Sequence, residues 1–278
     1  MPEIIVEIAR AKINLALHVL GRRTDGYHEL DSVVAFADYG DRLTLVEAGV
    51  TSLTVTGPFS SDVPMNSENL VLRARALLSE HVDCPPVAFT LEKNLPVASG
   101  IGGGSADAAA ALRGTLRLTQ ENISISVLNK IALKLGADVP VCLSGKAVRM
   151  QGIGETLTPL DKAIGGAVVL VNPLVPCNTA SVFKTLGLQN GQLFRSALDL
   201  EFESLWRNDL TDAAIVTVPE IARVILALQS IEGARTVRMS GSGATCFSLV
   251  ETVEMASSIA AQLRHQYPDW WIVSAALC

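Results

Sequence analysis

The segment 95–112, Leu-Pro-Val-Ala-Ser-Gly-Ile-Gly-Gly-Gly-Ser-Ala-Asp-Ala-Ala-Ala-Ala-Leu, constrains this chain more than any other. Gly100, Gly102, Gly103 and Gly104 fall within five positions, followed by Ser105 and an alanine-rich run. Glycine accepts φ > 0 and lets a ligand approach the backbone with no β-carbon in the way. Serine is a favoured N-cap and alanine the strongest helix former, so the segment reads as a glycine loop feeding a helix capped by Ser105. Unpaired N–H groups and the positive end of the helix dipole converge at such a terminus, which suits an anion, phosphate above all. A Walker A motif needs a lysine after its last glycine, and none follows here. A dinucleotide fingerprint counted from Gly100 needs a glycine where Ser105 stands, and it follows a strand directly. A glycine run also fits a turn that binds nothing, so the rest of the chain must decide.

With 278 residues the chain is long enough for one large domain or two ordinary ones. Hydrophobic residues at 49% and charged ones at 18% place it among proteins with a substantial core. A net charge of −6 without a basic cluster argues against nucleic acid as a partner, and an anionic substrate would need local cations. The five cysteines form no Cys-x-x-Cys and the four histidines lie far apart, so neither structural zinc nor a disulfide framework is expected. Buried reduced thiols suit a cytoplasmic location. No signal peptide is evident, and the most apolar run, 164–171, is far short of the roughly 20 residues of a membrane span. It reads as a buried strand.

Period-two alternation predicts strands over 4–8 and 12–20, and in the second it puts Lys12, Asn14, Ala16 and His18 on one face. Strands also fit 42–47, 51–56 and 87–92, and helices fit 69–80, the segment after Ser105, and 126–135 with Gly136 as its stop. Beyond a Gly/Thr/Pro-rich connection at 152–159, a strand at 167–172 leads to a helix at 179–187. A helix opened by Pro219 and closed by Gly233 follows, then strands 235–239 and 244–250, a helix 252–266 and a strand 270–276. Without the extra helices this order is β-α-β-β-α-β, the ferredoxin-like one.

Three further segments bear on function: Lys12-Ile13-Asn14-Leu15 with Asp25-Gly26-Tyr27-His28-Glu29-Leu30, then Gly136-Ala137-Asp138-Val139-Pro140, then Met239-Ser240-Gly241-Ser242-Gly243-Ala244-Thr245. With the loop from Pro96 to Ser105 and Gly152-Ile153-Gly154-Glu155, they resemble the GHMP kinases in order and over nearly the whole chain. The likeness is greatest to the members that act on a cytidine-diphosphate-linked methylerythritol. Ala98 stands where many members carry glycine, a change that a negative φ would accommodate.

The resemblance implies an α+β, two-domain GHMP kinase fold. Its N-terminal domain, 1–155, would be ribosomal-protein-S5-domain-2-like and bind ATP. Its C-terminal domain, 156–278, would be ferredoxin-like. The implied reaction moves a phosphoryl group from ATP, with Mg2+, to the 2-hydroxyl of the cytidylylated methylerythritol, a step of the non-mevalonate route to isoprenoids. Asp138 would be the general base and Lys12 its partner. A lysine on an apolar strand is costly to bury unless paired, and an aspartate before Val-Pro also fits a turn bonding its own backbone. Pro96, Val97, Ala98, Ser99, Gly100, Ile101, Gly102, Gly103, Gly104, Ser105 and Ala106 would hold ATP, with the Ser105 hydroxyl also reaching the metal. Asp107 would complement the helix dipole. Tyr27, His28 and Phe183 match positions that hold cytosine. Asn14, Lys93, Gly241, Ser242 and Gly243 match substrate-side positions. The resemblance implies a monomer or weak homodimer, with no membrane or nucleic-acid partner. The alternative is another small-molecule GHMP kinase, such as a homoserine kinase, against which Gly26-Tyr27-His28 argues because such a substrate has no base to stack. A non-catalytic nucleotide sensor would have no use for both Lys12 and Asp138.

Overall fold

Alternation persists through both ends of the chain's first forty-odd residues, and the computed structural model shows two long strands there. It describes residues 3–160, 164–201 and 203–278. The strands expected at 4–8 and 12–20 are one, β1 (Ile4–Arg22), which pairs with β2 (His28–Glu47). The short strand expected at 42–47 is only the end of β2. There follow β3 (Ser52–Thr56), α1 (Leu70–Leu78), β4 (Val87–Glu92), α2 (Gly103–Thr119), α3 (Ile125–Leu135), α4 (Val139–Ser144), β5 (Val148–Gly152) and β6 (Thr156–Pro159). The remainder is β7 (Ala167–Asn172), α5 (Thr179–Leu186), α6 (Thr211–Thr217), α7 (Glu220–Gln229), β8 (Val237–Met239), β9 (Cys246–Val250), α8 (Val253–Gln266) and β10 (Trp271–Ala276).

The chain divides into two compact units that interleave in sequence. The first comprises Met1–Ala11, Tyr39–Val97 and Gly102–Gly145; the second comprises Lys12–Asp38, Ala98–Ile101 and Lys146–Cys278. In the first, the far half of β2 runs antiparallel to β4 and β4 runs parallel to β3. Helix α2 packs on α1 and α4. Its small residues let it lie close to the sheet: a β-carbon at Gly114 would stand 2.7 Å from Leu45 Cδ1. Asn69 caps α1 by accepting the Val71 N–H, and Ser124 caps α3 by accepting that of Val127.

In the second unit, the near half of β2 pairs with β5, and β5 with β6. The Gly/Thr/Pro-rich stretch expected as a connection is therefore largely a strand pair. The remaining strands form an antiparallel sheet in the order β10-β7-β9-β8, the ferredoxin-like arrangement. Every residue of β7 is buried, as its unbroken apolar run requires of a strand covered on both faces. Val224 and Leu228 of α7 and Ala260 and Leu263 of α8 fill its core.

Candidate active site

Where the glycines fall decides where the anion site is. Helix α2 starts at Gly103, two residues before the expected cap, and its N-cap is Gly102 with φ 67° and ψ 23°. Only glycine takes that conformation cheaply, so backbone geometry supersedes the Ser105 side chain as the helix start signal. Ser105 is the third residue of the helix. The first intrahelical bond runs from the Ala106 N–H to the Gly102 carbonyl at 2.8 Å, which leaves the N–H groups of Gly103, Gly104 and Ser105 without an intrahelical acceptor. Three such donors at a dipole's positive end meet the requirements of a phosphate cradle.

In the same unit α3 ends at Gly136, and a β-carbon built there would lie 4.0 Å from Ser105 Oγ. Asp138, two residues on, occupies the N-cap of α4 but makes no side-chain capping bond, and Pro140 sits in the helix's first turn. The ordinary use of an aspartate at that position is thus absent. Lys93 and Asp107 meet in a buried ion pair. Lys93 is 2% exposed, and its ammonium donates to Asp41 at 2.5 Å and to Asp107 at 2.6 Å. Asp107 therefore answers a lysine and not the helix dipole. Burial pulls the Lys93 ammonium down, but Asp107 and Asp41 outweigh it and its pKa is raised. Burial pushes the Asp107 carboxyl up to about 7, with Asp41 adding to the shift and Lys93 opposing it. Asp41 carried no sequence signal beyond being an aspartate at the turn of an apolar strand.

The earlier half of the loop lies in the second unit. Ala98 has φ 50°, not the negative value that would accommodate its β-carbon freely, because the chain turns there through a left-handed conformation. The Ile101 carbonyl accepts the Lys12 N–H at 2.9 Å, and the Ser99 carbonyl accepts that of Thr245 at 3.1 Å. Gly100, with φ 78°, leaves no room for a side chain: its β-carbon would stand 2.5 Å from the Ser240 carbonyl oxygen and 2.7 Å from that of Gly243. The Ser240 hydroxyl donates to the Gly100 carbonyl at 3.0 Å and accepts the Asn14 N–H at 3.1 Å. Loop, strand and glycine turn thus meet at Ser240, a buried serine of the glycine turn. Asn208 donates to the carbonyls of Met239 and Gly241, at 2.8 Å each, and Ser242 Oγ lies 2.8 Å from Thr179 Oγ1.

Lys12 and Asn14 are both buried, at 4% and 1% exposure. The Asn14 amide donates to Ser32 Oγ at 2.8 Å, while its Oδ1 is buried with no partner. His28 stacks on Phe183 of α5, centroids 4.4 Å apart, and its Nε2 is likewise buried and unpartnered. Tyr27 stands 60% exposed on the preceding turn, where Asp25 accepts its N–H at 3.2 Å. Burial, and then the Arg22 charge, hold the His28 pKa down, so the ring is neutral near pH 7. No disulfide joins the five cysteines, and among the described residues no group of three or more His, Cys, Asp or Glu could hold a metal ion. No helix among them is long and apolar enough to cross a membrane.

Comparison with known proteins gives the same reading. Residues 69–146 match the GHMP kinases N terminal domain and residues 184–269 match GHMP kinases C terminal. A 4-diphosphocytidyl-2-C-methyl-D-erythritol kinase of Rhizobium etli (strain CIAT 652) is 47% identical, over 96% of this chain and 93% of its own length. A crystal structure of 4-(cytidine 5'-diphospho)-2C-methyl-D-erythritol kinase superposes with a TM-score of 0.82 at 32% identity, covering 98% of this chain and 99% of that one. A homoserine kinase from Cytophaga hutchinsonii shares the fold, with a TM-score of 0.72 at 17% identity over 99% of this chain and 95% of its own. Glycine loop, glycine turn, two-unit α+β architecture and full-length relatives agree: this chain is an enzyme that belongs to the GHMP kinases.

Proposed function

We propose that this kinase transfers the γ-phosphoryl group of ATP to the 2-hydroxyl of 4-diphosphocytidyl-2-C-methyl-D-erythritol, a step of the non-mevalonate route to isoprenoid precursors. The carrying observation is the His28 ring, stacked 4.4 Å from Phe183 with a buried, unpartnered Nε2. A nucleobase brings a flat face and a hydrogen-bonding edge, the two things such a pair can engage. Exposed Tyr27 adds a third ring on the preceding turn. The relatives' names, over nearly the full length of this chain, support the same acceptor.

In this reading the N–H groups of Gly103, Gly104 and Ser105 hold phosphate oxygens, within a cradle that runs from Pro96 to Ala106. Asp138 accepts the proton of the attacking hydroxyl and the Lys12 ammonium steadies the transferring charge. The unpartnered Asn14 Oδ1 suits a substrate hydroxyl. Gly241, Ser242 and Gly243 line the substrate side. Magnesium would be carried mainly by the phosphates, with the Ser105 hydroxyl as a protein ligand, since Asp107 is engaged by Lys93. The ATP-binding division is placed at 1–155 and the second at 156–278. Cysteines without disulfides support a cytoplasmic site of action, and a monomer or weak homodimer completes the reading.

The test is a kinase assay across acceptor alcohols. The cytidylylated methylerythritol is expected to be used and the free sugar phosphate largely ignored. Homoserine or mevalonate turned over as efficiently would refute the acceptor.

A further inference from the structure

Three buried charges tie the base of the glycine loop. Asp41 of β2 is fully buried, and its Oδ1 accepts the N–H groups of Asn94 and Leu95, at 2.6 and 2.8 Å, just after β4. Its Oδ2 accepts from Lys93 Nζ at 2.5 Å, and the same ammonium donates to Asp107 Oδ2 at 2.6 Å. The Lys93 backbone is pinned too: its N–H donates to the Thr56 carbonyl at 2.8 Å and its carbonyl accepts the Phe59 N–H at 3.3 Å. Gly103 rests on this cluster, for a β-carbon there would lie 3.1 Å from Lys93 Nζ and 3.7 Å from Asp41 Oδ2. One carboxylate on a sheet strand grips the entry to the loop and, through one ammonium, the helix at its exit.

Such a cluster is a poor device for stability alone. A buried ion pair often contributes no more than apolar residues of the same size. Here two carboxylates share one ammonium, and Asp107 Oδ1 is buried without a partner. What the cluster does supply is direction, because each charge-assisted bond fixes a backbone segment against another. We infer that Asp41, Lys93 and Asp107 are positioning residues that aim the N–H groups of Gly103, Gly104 and Ser105 at the nucleotide. Lys93 acts through the loop and not by contact with the acceptor. This rests on the reading of the loop as the ATP site.

The experiment titrates ATP and acceptor separately in Lys93→Gln and in the charge-compensated pair Lys93→Gln/Asp107→Asn, which removes the ammonium together with one carboxylate. Displacing a reacting group by about 1 Å costs on the order of 10²-fold, so half-saturation by ATP is expected to rise about 10–100-fold in the pair. Half-saturation by the acceptor stays put. Amides 102–106 should exchange hydrogen faster in the nucleotide-free pair. Asp41→Asn, which keeps a carbonyl for Asn94 and Leu95, should shift ATP the same way. Lower thermal stability with both half-saturations unchanged would overturn the inference, as would equal loss for both substrates. ATP binding indifferent to Gly103→Val would sink the loop reading itself. Loop-dependent ATP binding with an unaltered pair would sink only the positioning role.

Discussion

Ala98 holds a left-handed backbone, with φ 50°. A β-carbon there costs about 1 kcal/mol relative to glycine. Ala98→Gly is therefore expected to raise the urea midpoint with an unchanged slope; a fall in the midpoint would mean that glycine's extra freedom in the unfolded chain outweighs the relief. Asp138→Asn keeps the shape of the α4 N-cap, where the side chain makes no capping bond. It should bind ATP as before and turn over about 10²–10⁴-fold more slowly, the range for a missing general base. Turnover within about threefold of wild type would remove Asp138 from that role. Burial holds both His18 and His28 below the ordinary histidine value of 6.5, helped by Arg207 at His18 and Arg22 at His28. The unfolded chain thus takes up protons first as pH falls. Their contribution to stability is complete above the unfolded pKa and is lost as pH drops through 6.5 toward the folded values. Urea midpoints measured across that window should decline, and His18→Gln should flatten the decline.

At the scale of elements, the helix start at Gly103 makes a sharper demand than glycine flexibility does. Gly103→Val places branched carbon against Lys93 Nζ, 3.1 Å from where the β-carbon would stand. Separate titrations should show weaker ATP binding and little change for the acceptor. Legibility followed length and periodicity. β4, Val87–Glu92, could be read to the residue, because its alternation is bounded by prolines before and a Lys-Asn pair after. Helix α4, Val-Pro-Val-Cys-Leu-Ser, was not readable: six residues, all but Leu143 of poor helix propensity, form a helix because the unit's packing on α2 and α3 overrides local preference. The stretch 152–159, which holds β6, reads as a connection, since Gly, Thr and Pro mark loops unless a neighbour such as β5 offers a ladder. Of the candidate site, the glycine segments announce themselves locally. The Asp41–Lys93–Asp107 set does not, because its members come from a strand, a loop and a helix whose meeting is a tertiary fact.

For the molecule as a whole, the proposed function rests on acceptor choice, since the fold itself is shared with a homoserine kinase at a TM-score of 0.72. If Tyr27 stacks on the base, Tyr27→Ala should weaken use of the cytidylylated acceptor by about 5–150-fold, from a stacking contribution of roughly 1–3 kcal/mol, with the ATP requirement unchanged. Competition between the cytidylylated acceptor and the free sugar phosphate measures this, and an unaltered preference would exclude Tyr27. The β-α-β-β-α-β order of the second unit was legible because its elements, even the three-residue β8, are separated by turn residues. The crossing of β1 and β2 through both units was not, because nothing in Ala9-Arg10-Ala11 marks a change of unit within one strand. Gly100 carries one more consequence, this time for heredity. Every base change that turns a glycine codon into that of another residue brings at least a β-carbon, and here that carbon would meet the Ser240 oxygen at 2.5 Å. Codon 100 is thereby held to glycine, whereas codon 98 encodes a residue that already carries a β-carbon.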